Sequence, residues 1–217
     1  MSKSILICFK LKIFVLLYSQ ELTLYIESGA FEQVHRVIGE VEAGLKEFEG
    51  KIGKTHAVTI YYNLAYLYIG AGEYRKALPW LNKILMYKEM DVREDIVCFT
   101  RILQLIVYYE LNEMDVIPHV LKSTYHYLAK RKRVYQGETV ILEFIRQASR
   151  IHSRSELVKG YVGLIKKFKK LEGDSFEKNL FLYFDFISWL ESKLKGLKFA
   201  DVMKQKANQL TRPSGRG

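Results

Sequence analysis

The sequence is poor in the residues that interrupt helices or staple small folds. Three prolines occur in 217 residues, and two of them, Pro79 and Pro118, fall before the C-terminal tail. So little proline fits a helical chain better than a strand-rich one with many turns. Only two cysteines are present, Cys8 and Cys98. Neither belongs to a CxxC pair, which argues against a disulfide framework or a thiolate metal site. Both lie in apolar helical stretches and read as reduced, buried thiols of a cytoplasmic protein. No uninterrupted apolar run approaches the roughly 20 residues that cross a bilayer. The N-terminal stretch MSKSILICFKLKIFVLLYSQ is broken by Lys10 and Lys12, and no small-residue cleavage site follows. It predicts a core helix, with neither a signal peptide nor a membrane span.

Signatures of chemistry are missing as well. There is no GxSxG, HExxH, EF-hand loop or dinucleotide fingerprint. Residues 44–52, GLKEFEGKI, put five residues between the glycines where a phosphate loop has four, and no Ser or Thr follows the lysine. His119 and His126 are spaced to share a helix face, but no carboxylate or thiol near them completes a metal set. His35, His56 and His152 stand alone. The expectation is a protein that is not an enzyme, with no catalytic residue, no metal and no cofactor.

What the chain does have is apolar residues (49%), a mean hydropathy of −0.07, charged residues (27%) and aromatics (13%), enough for a sizeable globular core. Its net charge of +10 is unevenly spread. Residues 1–128 carry 14 basic and 15 acidic side chains, and residues 129–217 carry 20 and 9. The basic half is either a solvated surface or an attraction for anions. Two clusters stand out in it. Lys130, Arg131, Lys132 and Arg133 fall where one helix should end, a place where cations offset the helix dipole. Lys166, Lys167, Lys169 and Lys170 surround Ile165, Phe168 and Leu171 and would cover the outer face of a helix. No RNA-binding or helix-turn-helix signature accompanies them.

The strongest internal signal is a repeated spacing. In YYNLAYLYIGAGEYRKALPWLNKIL, residues 61–85, Tyr68, Gly72, Tyr74, Ala77 and Leu81 mark two helical faces joined at a glycine. Tyr25, Gly29, Phe31, Val34 and Ile38 repeat the pattern, and so do Tyr108, Asn112, Met114, Ile117 and Leu121. Gly29, Gly72 and Asn112 are residue types that tolerate positive φ, and they lie 43 and 40 residues apart. Such a period predicts helix pairs stacked side by side, each burying its apolar face on its neighbours.

Residues 59–90 resemble a tetratricopeptide (TPR) repeat, with Leu64, Ala65, Tyr68, Gly72, Tyr74, Ala77 and Leu81 at its signature positions. Tyr61 stands where the family usually has Trp, and the terminal Pro is missing. Residues 15–45 and 98–128 match less closely, and their spacing exceeds the family's roughly 34 residues. VREDIVCFTRILQLIVYYELNEMD and YFDFISWLESK are also similar to a group of bacterial TPR-like proteins whose function is uncharacterised. The resemblance implies an all-α superhelical solenoid of about ten antiparallel helices spanning residues 1–210, with 211–217 a disordered tail. Helices are expected near 4–27, 31–48, 55–70, 74–88, 92–111, 115–130, 134–151, 155–172, 175–195 and 198–210. The ninth should start at a capping-box pair, Asp174 and Glu177, and Pro79 should kink the fourth or delay its start.

The resemblance further implies a scaffold that binds a protein or peptide in a concave groove. Carried over position by position, the groove would be lined by Tyr62, Asn63, Tyr66 and Ile69 from one repeat and Phe99, Ile102, Ile106 and Tyr109 from the next; core packing between adjacent repeats is the alternative for both sets and the better reading of the second, which is entirely apolar or aromatic. The carboxylate clamp of some TPR domains is not reproduced, since Ser19, Phe99 and Leu103 replace its cations. A DNA-binding domain ahead of the repeats, as in peptide-pheromone regulators, has no room before the first one. The apolar first helix predicts a covered end, by a second copy or by another partner. Nucleic acid or an anionic surface at the basic half is the alternative partner.

Overall fold

The computed structural model describes residues 3–33, 35–87, 93–131, 135–151 and 153–211. Among these there is no strand. The helices are α1 (Lys3–Ser28), α2 (His35–Glu47), α3 (Lys54–Gly70), α4 (Tyr74–Leu85), α5 (Glu94–Glu110), α6 (Ile117–Ala129), α7 (Gln136–Ala148), α8 (Arg154–Leu171), α9 (Phe186–Lys195) and α10 (Phe199–Thr211). Two 3₁₀ turns, Phe31–Gln33 and Glu177–Leu182, complete the set among the described residues.

The repeated turn residues act alike. Gly29, Gly72 and Asn112 sit at φ of 67°, 78° and 57°, and Asn112 is the one non-glycine residue at positive φ among the described residues. At each turn the next residue's N–H reaches back five residues to a tyrosine carbonyl. Ala30 reaches Tyr25 (3.2 Å), Glu73 reaches Tyr68 (2.8 Å) and Glu113 reaches Tyr108 (2.9 Å). This is the Schellman closure, which satisfies the last carbonyls of a helix and reverses the chain. Gly196, at φ 65°, ends α9 in the same way.

The pairs so made stack in order. α1, α3, α5 and α7 pack side by side, α4 wedges between α3 and α5, and α6 between α5 and α7. α3 is buried almost all round, including residues 64–70, because it has neighbours on both sides. Close approach depends on missing side chains. A Cβ at Gly44 would lie 2.0 Å from the Phe14 ring, and one at Gly70 would lie 2.4 Å from Phe31.

Three expectations need correcting here. The stretch 31–48 is a 3₁₀ turn and then α2, not one helix. The stretch 175–195 is likewise divided, into the turn Glu177–Leu182 and α9. Asp174 does accept from the N–H groups of Phe176 and Glu177 (2.8 and 3.0 Å), but the segment it opens ends at Leu182, which is 81% exposed. Pro79 does not delay the start of α4, which begins at Tyr74 and continues past it.

The C-terminal part does not extend the stack. α8 packs on α7 and α9, α9 on α10, and α10 returns to touch α1. One apolar cluster therefore runs from Phe14 to Met203. No helix among the described residues is long and apolar enough to cross a membrane.

Candidate interaction surfaces

The residues expected to line an open groove face the chain itself. The break at 183–185 and the start of α9 lie against α3 and α5. Tyr62 Oη donates to the Tyr183 carbonyl (3.0 Å), and the Asp185 N–H donates to Tyr66 Oη (3.1 Å). Phe99 stacks on Tyr183 with centroids 4.0 Å apart and planes 7° from parallel. Tyr66 also packs on Phe184, and Tyr109 meets Trp189 edge-on while its hydroxyl shares a 2.6 Å hydrogen bond with that of Tyr161. Ile69, Ile102 and Ile106 are fully buried, and Asn63 is half-buried. Burial pushes the Tyr62, Tyr66 and Tyr109 hydroxyls well above the ordinary tyrosine range, so they stay neutral donors.

Magnitude decides whether this filling is removable. Leu180, Phe184, Phe186 and Trp189 are at most 1% exposed. Burying four such side chains contributes on the order of 10 kcal/mol. That is comparable with the entire stability of an ordinary domain. The segment is core, and the face it covers is not open to a peptide.

Three acidic groups, Glu177, Asp95 and Glu110, serve the same closure, and a fourth, Glu138, joins α5 to the α6–α7 turn. Glu177 accepts from the N–H groups of Gln136 (2.7 Å) and Gly137 (3.0 Å) and so caps α7 from 40 residues away. Asp95 accepts from Arg93 and Tyr183; burial opposes its ionisation, yet those two donors prevail and hold the carboxyl below its ordinary range. Glu110 accepts from Trp189 Nε1 (2.6 Å) and pairs with Lys193. Glu138, fully buried, accepts from Arg131 Nη1 (2.9 and 3.1 Å), the Tyr135 N–H (3.0 Å) and Cys98 Sγ (2.9 Å). Burial and then the Glu138 carboxylate push the Cys98 thiol up, which keeps it a thiol. These networks escaped the sequence reading because their members lie up to 88 residues apart.

Two surface clefts hold polar groups. One of 540 Å³ lies between the Gly72 turn and the start of α10, and three ion pairs sit at it: His35 with Glu73 (2.9 Å), Lys204 with Glu32 and Lys193 with Glu110. The other, of 650 Å³, is lined by Tyr61, Trp80 and Tyr87, and Lys83 lies over the Trp80 ring at 4.1 Å. No cluster of three metal-ligating side chains occurs among the described residues.

The basic clusters part company. Lys130 is exposed, but Arg131 is spent on Glu138, with 11% of its side chain accessible. Lys132 and Arg133 lie outside the described residues. Lys166, Lys167, Lys169 and Lys170 are all exposed on α8, and none has an ion pair among the described residues.

The remaining surface is apolar. α1 buries Phe14 and Leu22 against the array and turns a second apolar face outward. Ile5 (58% exposed), Phe9 (58%), Leu16 (67%) and Leu24 (63%) lie along it with Leu6, Ile13 and Leu17. Cys8 is exposed there too, contrary to the expected burial. A helix apolar on two opposite sides needs neighbours on both, and among the described residues only one side of α1 is covered, by α2, α3 and α10. No family model, no curated protein and no solved structure matches this chain.

Proposed function

We propose that this chain is a non-catalytic helical-repeat scaffold of tetratricopeptide-like build that binds protein through the outward face of α1. The single observation that carries this reading is that face: seven large apolar side chains in a row, exposed on a folded array. Monomeric proteins rarely leave so much contiguous apolar surface in water. The repeat-like build is supported by three like Schellman turns about 40 residues apart and by the alternating order in which α1 to α7 pack. The non-catalytic part is supported by the fate of the titratable groups, since Asp95, Glu110, Glu177, Tyr62 and Tyr66 are consumed in tying the C-terminal segment to the array and Glu138 in joining α5 to the α6–α7 turn. Two unpaired thiols, one of them exposed, fit a reducing cytoplasm.

The test is capture of binding proteins from the native cell by tagged chain. Ile13→Glu with Leu16→Glu should abolish capture while leaving helical circular dichroism unchanged. Tyr62→Phe with Tyr66→Phe should leave it intact, because those residues face the core. The four unpaired lysines of α8 favour a second reading, an anion-binding surface. That reading gains if changing Lys166, Lys167, Lys169 and Lys170 to Glu removes a salt-dependent gel shift with RNA or DNA. Capture that survives the α1 changes would overturn the first reading.

A further inference from the structure

We infer that the outer face of α1 seats a second copy of this chain, with the two α1 helices antiparallel. The inference rests on the scaffold reading and names its partner.

The first ground is area. The exposed parts of Ile5, Leu6, Phe9, Ile13, Leu16, Leu17 and Leu24 leave roughly 700 Å² of apolar surface in water. That is what one partner of a standard interface buries. The second ground is register. Leu6, Phe9, Ile13, Leu16 and Gln20 recur at alternating steps of three and four, the seam by which two helices interlock. All but Gln20 are apolar, and all lie opposite the buried Phe14 and Leu22. A groove of 500 Å³ runs beside the seam, lined by Leu11, Val15, Leu16, Ile52 and His56, and gives protruding side chains of the second copy an apolar seat.

Charge fixes the direction. The described side chains of α1 put Lys10 and Lys12 in its first half and Glu21 and Glu27 in its second. Parallel helices would set like charges against each other; antiparallel helices set basic halves on acidic ones. Lys10 and Glu21 are eleven residues apart, three helical turns, and so share one edge of the seam. In an antiparallel pair the same edges meet, which brings Lys10 of each copy to Glu21 of the other. That register brings Leu6 to within one residue of Leu24, and Ile13 to within one residue of Leu17, across the two-fold axis. The same acids disfavour an anionic membrane as the occupant, since Glu21 and Glu27 would be pressed toward its headgroups.

Light scattering with sedimentation should give a mass twice the chain's 25.4 kDa. Leu16→Glu should give the single-chain mass with unchanged helical content. Lys10→Glu should weaken association about tenfold, and adding Glu21→Lys should restore it to within about twofold. Cysteine pairing reads the direction without disturbing the fold. In a Cys8→Ser background, Leu6→Cys chains mixed with Leu24→Cys chains should cross-link under mild oxidation, and either alone should not. A chain monomeric up to its solubility limit, a dimer indifferent to Leu16→Glu, or Leu6→Cys chains that link to themselves would each overturn the proposal. So would a monomer that binds vesicles of phosphatidylserine through α1. A monomer whose α1 changes still abolish capture of a different protein would sink the second copy and leave the scaffold standing. A dimer that captures nothing else would do the reverse.

Discussion

Arg131 and Glu138 show how much a single pair decides here. Arg131 came from a run of four basic residues that looked solvated, yet its guanidinium closes on a carboxylate with no solvent access. Breaking such a pair from one side leaves a buried, uncompensated charge. Arg131→Leu should therefore cost about 3 kcal/mol, at the lower end of the usual range because the arginine keeps a little exposure. Adding Glu138→Gln should return part of that loss. Chemical denaturation measures both, and a loss under about 1 kcal/mol for Arg131→Leu would show the pair to be dispensable. The turn residues were far easier to read. Gly29, Gly72 and Asn112 announce themselves because positive φ is a local demand that only a few residue types meet. Glu138 gives no such sign, since its partners Cys98 and Arg131 reach it from other helices and other turns.

Among the elements, the stretch 175–195 is the instructive failure. The sequence reads as one continuous helix opening at Asp174. The chain instead breaks at 183–185 and restarts at Asp185, whose carboxylate accepts from the Ser188 N–H (2.9 Å) as an N-cap. That Asp was a start signal in plain view, overridden by the apolar periodicity around it. The break lets Tyr183 stack on Phe99 while Phe184, Phe186 and Trp189 all enter the core, an arrangement no single straight helix permits. Trp189→Ala should cost about 3–5 kcal/mol, from the cavity and from the lost partner of Glu110. A thermal melt reads this as a fall of roughly 10 °C for a chain of this size. A shift of only a degree or two would mean that the segment is a loose cover and not core, and would reopen the groove reading.

Taken together, the chain buries an unusual number of phenols, and this gives it a definite response to alkali. Tyr62, Tyr66 and Tyr109 have hydroxyls raised well beyond the ordinary range by burial, and Tyr68 is raised to about 12 by burial and by Glu42. Each binds its proton more tightly folded than unfolded. Their stabilising contribution is complete below about pH 10, the unfolded tyrosine value, and is lost as the pH climbs from there through the folded values. Melting temperature should accordingly hold level to about pH 10 and then fall steeply, with tyrosinate absorbance appearing together with unfolding. Tyrosinate that develops smoothly near pH 10 in a chain still fully helical would contradict the burial described here.

Helix, turn and repeat were legible in the order of the residues because each is fixed by neighbours within a turn or two, through backbone closure and side-chain spacing. The outward apolar face of α1 was legible as composition, since Ile5 to Leu17 are nearly all apolar. Which faces ended up covered was not. Tyr62 and Tyr183 meet across 121 residues, and Asp185 reaches Tyr66 across 119. No local rule distinguishes an aromatic face awaiting a partner from one awaiting the chain's own C-terminal segment. Only the folded arrangement settles that, because burial is won by whichever apolar surface the chain can bring there at least cost in entropy, and here a tethered segment of the same chain was within reach.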